Sequence, residues 1–108
     1  MVSVMALWLK ERHPQIRIVG VEPAGAASMA AALEAGGPVP LDHVDTFVDG
    51  AAVGRVGSVT YPIVRDLVDE VVQVAEGAVC TEMLELYQIE GIIAEPAGAM
   101  ASTWAKSL

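Results

Sequence analysis

Carboxylates are the chemistry-bearing groups that this chain holds in excess. Among 108 residues there are 14 Asp or Glu, six Lys or Arg, two His and one Cys. Glu22 and Glu95 open two copies of one pentapeptide, Glu-Pro-Ala-Gly-Ala, at 22–26 and 95–99. Each copy follows an apolar run and precedes a helix-forming segment. Asp49 stands directly before Gly50, in a stretch without periodicity that also holds Asp42 and Asp45. A glycine beside an acid allows backbone to approach a flat ligand closely. Folds of alternating strands and helices place ligands outside the carboxyl ends of the strands. On these grounds Glu22, Asp49-Gly50 and Glu95 outline one ligand edge. A plainer reading stands beside it: Asp49 in a solvated turn, and two glutamates favoured by the positive ends of helices. The repeated pentapeptide reads as one strand-to-helix turn used twice rather than as a true repeat.

Other chemistries find little support. His13 precedes a proline at a helix end and His43 lies in a loop, so both read as surface residues or caps. Cys80 falls in an apolar helical segment, where a small buried filler is expected. One cysteine and two distant histidines give no zinc spacing. No glycine-rich phosphate loop of the GxGxxG or GxxxxGK type is present, and Gly36-Gly37 reads as a helix stop. A catalytic residue and a metal site are therefore not assigned.

Hydrophobic spacing supplies the elements that must position the acids. Val4, Leu7 and Trp8 mark an amphipathic helix over about 3–12, closed by His13-Pro14. Ile16 to Val21 is β-branched and reads as a buried strand stopped by Glu22-Pro23. An alanine-rich helix follows over 26–35. The aperiodic stretch 37–57 is long for a loop in a compact domain, a length that is often functional. Thr60 is placed to cap a helix with Pro62 in its first turn and Ile63, Val64, Leu67 and Val68 on one face. Glu70 to Val74 is a second strand. A helix over about 76–90 carries Val79, Met83, Leu86 and Tyr87 and stops at Gly91. Residues 91–94 are extended or a link, and a last helix covers 97–107. The expected fold is α/β, a layered αβα unit with a small, mostly parallel sheet.

The formal net charge of -8 argues against nucleic acid and anionic membranes as partners. No apolar run approaches the ~20 residues that span a bilayer, and the start lacks the order of a signal peptide. A single cysteine suits a reducing compartment, so the cytoplasm is expected. Apolar residues are 54%, and counting the ten glycines without the tyrosines gives about 61%, against a usual ~45–50%. A chain of this size buries only about two-thirds of its unfolded surface. Exposed apolar area is therefore expected, covered either by a homo-oligomer or by a complementing fragment of a larger protein.

Three blocks carry a family resemblance: IRIVGVEPAGAASM (16–29), LDHVDTFVDGAAV (41–53) and TEMLELYQIEGIIAEPAGA (81–99). In this order they resemble the threonine dehydratases (threonine ammonia-lyases), of the fold-type-II pyridoxal-phosphate enzymes that include serine racemase and tryptophan synthase β. The resemblance reaches to about residue 101. It implies conversion of threonine to 2-oxobutyrate and ammonia, in isoleucine biosynthesis, with pyridoxal phosphate as electron sink. It implies that Asp49-Gly50 packs against the cofactor ring and that Glu95 faces the cofactor's side of the pocket. Glu22 matches a glutamate that binds a divalent cation in serine racemases, but Ser28 stands where the companion aspartate would be, so no metal is expected. Gly54 stands where many dehydratases have lysine. The family's Schiff-base lysine lies in a Ser-Phe-Lys-type segment, and neither Lys10 nor Lys106 does. Met1-Val2 stand where its glycine-rich phosphate cup would end, and its Ser-Gly-Gly-Asn strand is not matched. The resemblance therefore implies a single partial catalytic domain over 1–108, inactive and without bound cofactor when alone. The competing expectation is a structural or interaction module that oligomerises through apolar surface.

Overall fold

A computed structural model describes residues 1–108. Two strands, β1 (Val19–Pro23) and β2 (Glu70–Val74), form a parallel sheet in register from Val19↔Glu70 to Pro23↔Val74. Five helices surround it: α1 (Val2–Arg12), α2 (Ser28–Ala35), α3 (Thr60–Leu67), α4 (Glu76–Glu85) and α5 (Pro96–Lys106). The α/β expectation with a small parallel sheet is met. The body is a slab of 40 × 37 × 20 Å. Its radius of gyration is 14.2 Å, against about 13 Å for a compact domain of this length. Only 16 residues are buried, so the core is thin. It centres on Val48, Val74, Val79, Ala99 and Met100, which join the long loop, β2, α4 and α5.

Local chemistry sets the limits of each element. β1 starts three residues later than the run of β-branched residues suggests. Ile18 gives its N–H to the Asp69 carboxylate at 2.7 Å, while its carbonyl accepts from Asp69 N at 3.0 Å. Lys10 Nζ holds the same carboxylate at 2.8 Å. Lys10 first, then the Ile18 N–H, keep the Asp69 carboxyl below its ordinary value. Arg17 pairs with Glu70 at 2.5 Å across the opening of the ladder. β1 also runs through Glu22-Pro23 rather than stopping before them. Proline is tolerated at a strand end, where a missing donor costs least.

Glycine stops the helices as expected in two places. Gly36 (φ +80°) ends α2 and Gly91 (φ +68°) follows α4. Before Gly91 the helix widens into a π turn over Leu86–Glu90. Gly91 N then donates to Tyr87 O, the single bond of a left-handed helix stop, and Ile92 N donates to Leu86 O within the widened turn. Residues 91–94 are a link and not a strand. Thr60 is the first helical residue of α3 rather than its cap. Its hydroxyl donates to Gly57 O at 3.2 Å, and Val59 precedes the helix.

The largest departure is α1. The face expected to be buried points outward: Val4, Leu7 and Trp8 are 67%, 47% and 52% exposed. Ser3 and Ala6 are buried instead. Two small side chains let α1 approach the rest of the slab closely, which larger ones would prevent. Arg12 lies over the Trp8 ring at 4.1 Å and covers part of what is left outside. The exposed apolar area that composition predicts is thus present, here and at Leu84, Ile89 and Ile93.

The two pentapeptides adopt different structures, so the shared-turn reading fails. In the first, Glu22-Pro23 end β1, a 3-10 turn covers Ala24–Ala26, and α2 waits until Ser28. In the second, Glu95 directly precedes α5 and Pro96 is its first residue. The first copy is clamped through Gly25, whose N–H donates to Glu76 Oε1 at 2.6 Å and whose carbonyl accepts from Asp45 N at 2.9 Å. A Cβ at Gly25 would stand 2.5 Å from Asp45 Cβ, whereas one at Gly98 would meet nothing closer than 3.8 Å.

Gly25→Ala is therefore expected to cost about 1–3 kcal/mol through overpacking, while Gly98→Ala costs nothing or stabilises. Val79→Ala, at the centre of the core, is expected to cost about 2 kcal/mol. Urea unfolding of the three variants checks this order.

Candidate functional site

Parallel strands send both carboxyl ends to one edge of the sheet. There a cleft of about 360 Å³ opens between the end of β1, the first turn of α2, the 3-10 turn Asp49–Ala51 and the first turns of α5. Its walls are mostly apolar, with Val21, Met29, Ala97 and Met100 among them. Glu22 and Gly50 both line it.

Gly50 is the closest junction of the site. A Cβ there would lie 3.1 Å from Ala97 Cβ and 3.4 Å from both Glu95 carboxylate oxygens. Gly50 does not have positive φ. Its service is space, because α5 comes too near for a side chain. Glu95 is thus beside Gly50, as the ligand-edge reading expects. Its carboxylate makes no capping bond to α5 and is exposed. Asp49 turns back on the chain: its Oδ1 accepts from Gly50 N at 2.9 Å, and it does not line the cleft.

Glu22 follows the plainer reading. Its two oxygens accept from Met29 N at 3.1 Å and Ala30 N at 2.7 Å, in the first turn of α2. Half-burial pushes its carboxyl above the ordinary value, and the Ala30 and Met29 N–H groups offset this only in part. The donors that an anion would seek at this helix start are already taken by a carboxylate. The Met29 and Ala30 N–H groups are therefore not free for a phosphate.

The remaining candidates lie elsewhere. Asp45 Oδ1 accepts from Phe47 N at 2.8 Å, and Asp42 and His43 are exposed in the loop. His13 ends α1, its N–H on Leu9 O at 2.7 Å. Cys80 is exposed, not a buried filler. Its neighbour Val79 takes the inward position of α4, and one helical step turns Cys80 away by about 100°. Neither lysine lines the cleft. Lys10 is paired with Asp69, and Lys106 Nζ lies 2.7 Å from both Glu82 and Glu85. Sequence reasoning passed over Glu82, one of three glutamates in α4 and alike in sequence to the other two.

The Glu22 shift has a definite sign. A carboxyl raised on folding keeps its proton in the folded chain where the unfolded chain has lost it. Stability is then lost as pH rises above the ordinary value of 4.5. Glu22→Gln removes that loss while keeping one acceptor for the α2 N–H groups. Unfolding followed from pH 4 to 7 is expected to show a smaller decline in the variant than in the parent chain.

Comparison with known proteins bears on the family and the fold. The pyridoxal-phosphate dependent enzyme family matches residues 1–107. The biosynthetic L-threonine dehydratase of Mycobacterium tuberculosis is 58% identical over 102 residues, covering 93% of this chain and 24% of that protein. A processed threonine deaminase isoform from Solanum lycopersicum superposes with a TM-score of 0.89 at 38% identity, over 94% of this chain and 30% of that one. Maize serine racemase gives 0.89 at 38% identity, over 96% and 32%. The chain spans about a quarter of the length of the curated relatives it matches. With a match across nearly every residue and the same fold in solved members, the chain belongs to the pyridoxal-phosphate dependent enzymes.

Proposed function

We propose that this chain forms one wall of the cofactor pocket in an L-threonine dehydratase, which converts threonine to 2-oxobutyrate and ammonia for isoleucine biosynthesis in the cytoplasm. The observation that carries the reading is the meeting of Gly50 and Ala97 in the wall of an apolar cleft at the carboxyl end of β1, with the Glu95 carboxylate beside Gly50 but outside the lining. Residues 1–108 make up a single part of the catalytic domain.

When bound, pyridoxal phosphate supplies an electron sink for the carbanion at the substrate Cα. The residues here fit its ring. Ala97 and Met100 offer apolar contact, Gly50 lets α5 close on the 3-10 turn and so brings them to the cleft, and Asp49-Gly50 backs the turn. Glu95 presents an exposed carboxylate beside that face. The residues do not fit the phosphate or the amine. Glu22 fills the helix donors, and both lysines are held in ion pairs away from the cleft. The phosphate cup and the Schiff-base lysine are contributions this stretch does not make.

A second reading rests on the outward face of α1. Contiguous exposed apolar patches commonly mark contacts, and Val4, Leu7 and Trp8 expose apolar surface on one face of one helix. A homo-oligomer or a complementing fragment would cover it. Sedimentation distinguishes them: self-association that Trp8→Glu weakens supports the first, and a monomer that binds separately made dehydratase pieces supports the second.

The dehydratase reading is tested by exchange. The 102 matching residues of the mycobacterial enzyme are replaced by those of this chain. The chimaera is expected to form 2-oxobutyrate from threonine, and a folded chimaera without turnover sinks the reading. Gly50→Val in the chimaera is expected to weaken cofactor binding about tenfold, ~1.4 kcal/mol. The 108-residue chain mixed with pyridoxal phosphate and borohydride is expected to give no adduct on Lys10 or Lys106 and no turnover. An adduct accompanied by threonine turnover overturns the assignment of the amine.

A further inference from the structure

Glu82 is the one acid that the slab buries, 3% exposed between α4 and α5. Both of its oxygens are used. Oε1 accepts from the Ser102 hydroxyl, and Oε2 lies 2.7 Å from Lys106 Nζ. Ser102 and Lys106 are four residues apart on α5, so they stand one above the other on one helix face. A carboxylate on α4 is thereby gripped at two points by one face of α5.

A two-point grip fixes a helix more narrowly than apolar packing does. Apolar side chains such as Val79, Ala99 and Met100 make no directional bonds and accept sliding and rotation at modest cost. Sliding α5 by one residue moves it about 1.5 Å and turns it about 100°, which separates the carboxylate from both donors. Leaving one partner of a buried pair unmatched is strongly destabilising, whereas replacing the pair by apolar groups is often neutral. The partners hold the Glu82 carboxyl below its ordinary value, Lys106 first and then Ser102.

We infer that Glu82, gripped by Ser102 and Lys106, is a register lock for α5 that sets where the start of that helix meets Gly50. Ala97 lies on the same helix as Ser102 and Glu95 directly precedes that helix, seven residues or ~10 Å from Ser102. The position of the cleft wall therefore depends on a contact outside the cleft. Glu82 touches no ligand and is a positioning residue. The inference concerns this chain's own packing and stands or falls apart from the dehydratase reading.

The test uses the 108-residue chain without cofactor. Glu82→Leu with Lys106→Met replaces the grip by apolar groups and leaves no buried charge unpaired, because Glu85, which also loses Lys106, is 45% exposed. The expected result is an unfolding midpoint at or above that of the parent, with amide NMR signals of Gly50, Glu95 and Ala97 shifted or split into more than one set. A residue that only held the fold together would lower the midpoint and leave those signals in place. Glu82→Gln keeps the Ser102 bond and is expected to restore part of the parent pattern. Unchanged signals at Gly50, Glu95 and Ala97 in the double variant overturn the inference. If the double variant does not fold, Ser102→Ala, which removes one of the two contacts and keeps the Lys106 pair, is read by the same signals: shifted signals support the lock, and unchanged ones overturn it.

Discussion

Parallel pairing of two five-residue strands is the constraint from which the site follows. A parallel pair cannot be joined by a tight turn, so the chain between Pro23 and Glu70 must leave one end of the sheet and return to the other. That crossover contains α2, the long loop and α3. Its length is what allows Val48 to enter the core and Gly50 to stand beside α5. The ladder is anchored where it begins, by Asp69 on the Ile18 amide and by Arg17 on Glu70. Everything at the opposite end, the cleft included, inherits its placement from that register.

Much of this was legible in the residues. Glu70–Val74 is found where the apolar run puts it, and the glycine stops at 36 and 91 act as helix stops. The failures share a cause, which is tertiary contact overriding local pattern. The α1 stripe Val4-Leu7-Trp8 has the right spacing, but α1 meets the slab through Ser3 and Ala6. Periodicity reports that a face is apolar and says nothing of what is available to cover it. The two pentapeptides are identical in sequence and different in form because Asp45 and Glu76 clamp only the first.

At the site, sequence order found the neighbourhood but not the contacts. Asp49-Gly50 and Glu95 are 45 positions apart, and their meeting needs the crossover geometry. The glycine was legible as a place of close approach; what approaches it here is α5. Glu22 looks the same in sequence whether it serves a ligand or a helix start, and only the Met29 and Ala30 amides decide. Glu82 left a faint trace. Ser102 and Lys106 at helical spacing opposite an acid form a matched set, but no pattern within one helix shows which helix lies across from it.

The slab is thin, apolar on an outer helix, and carries a formal charge of -8. Like charge on every copy raises a barrier to collision, and that barrier reaches only as far as dissolved ions permit. The Debye length is about 8 Å at physiological ionic strength and about 3 Å at 1 M. Against a body 20 Å thick, the first distance extends repulsion well beyond the surface and the second confines it to contact. Colloidal behaviour of this protein is consequently governed by the electrolyte: dilute buffer keeps copies apart, and concentrated salt lets the outward tryptophan face find its like.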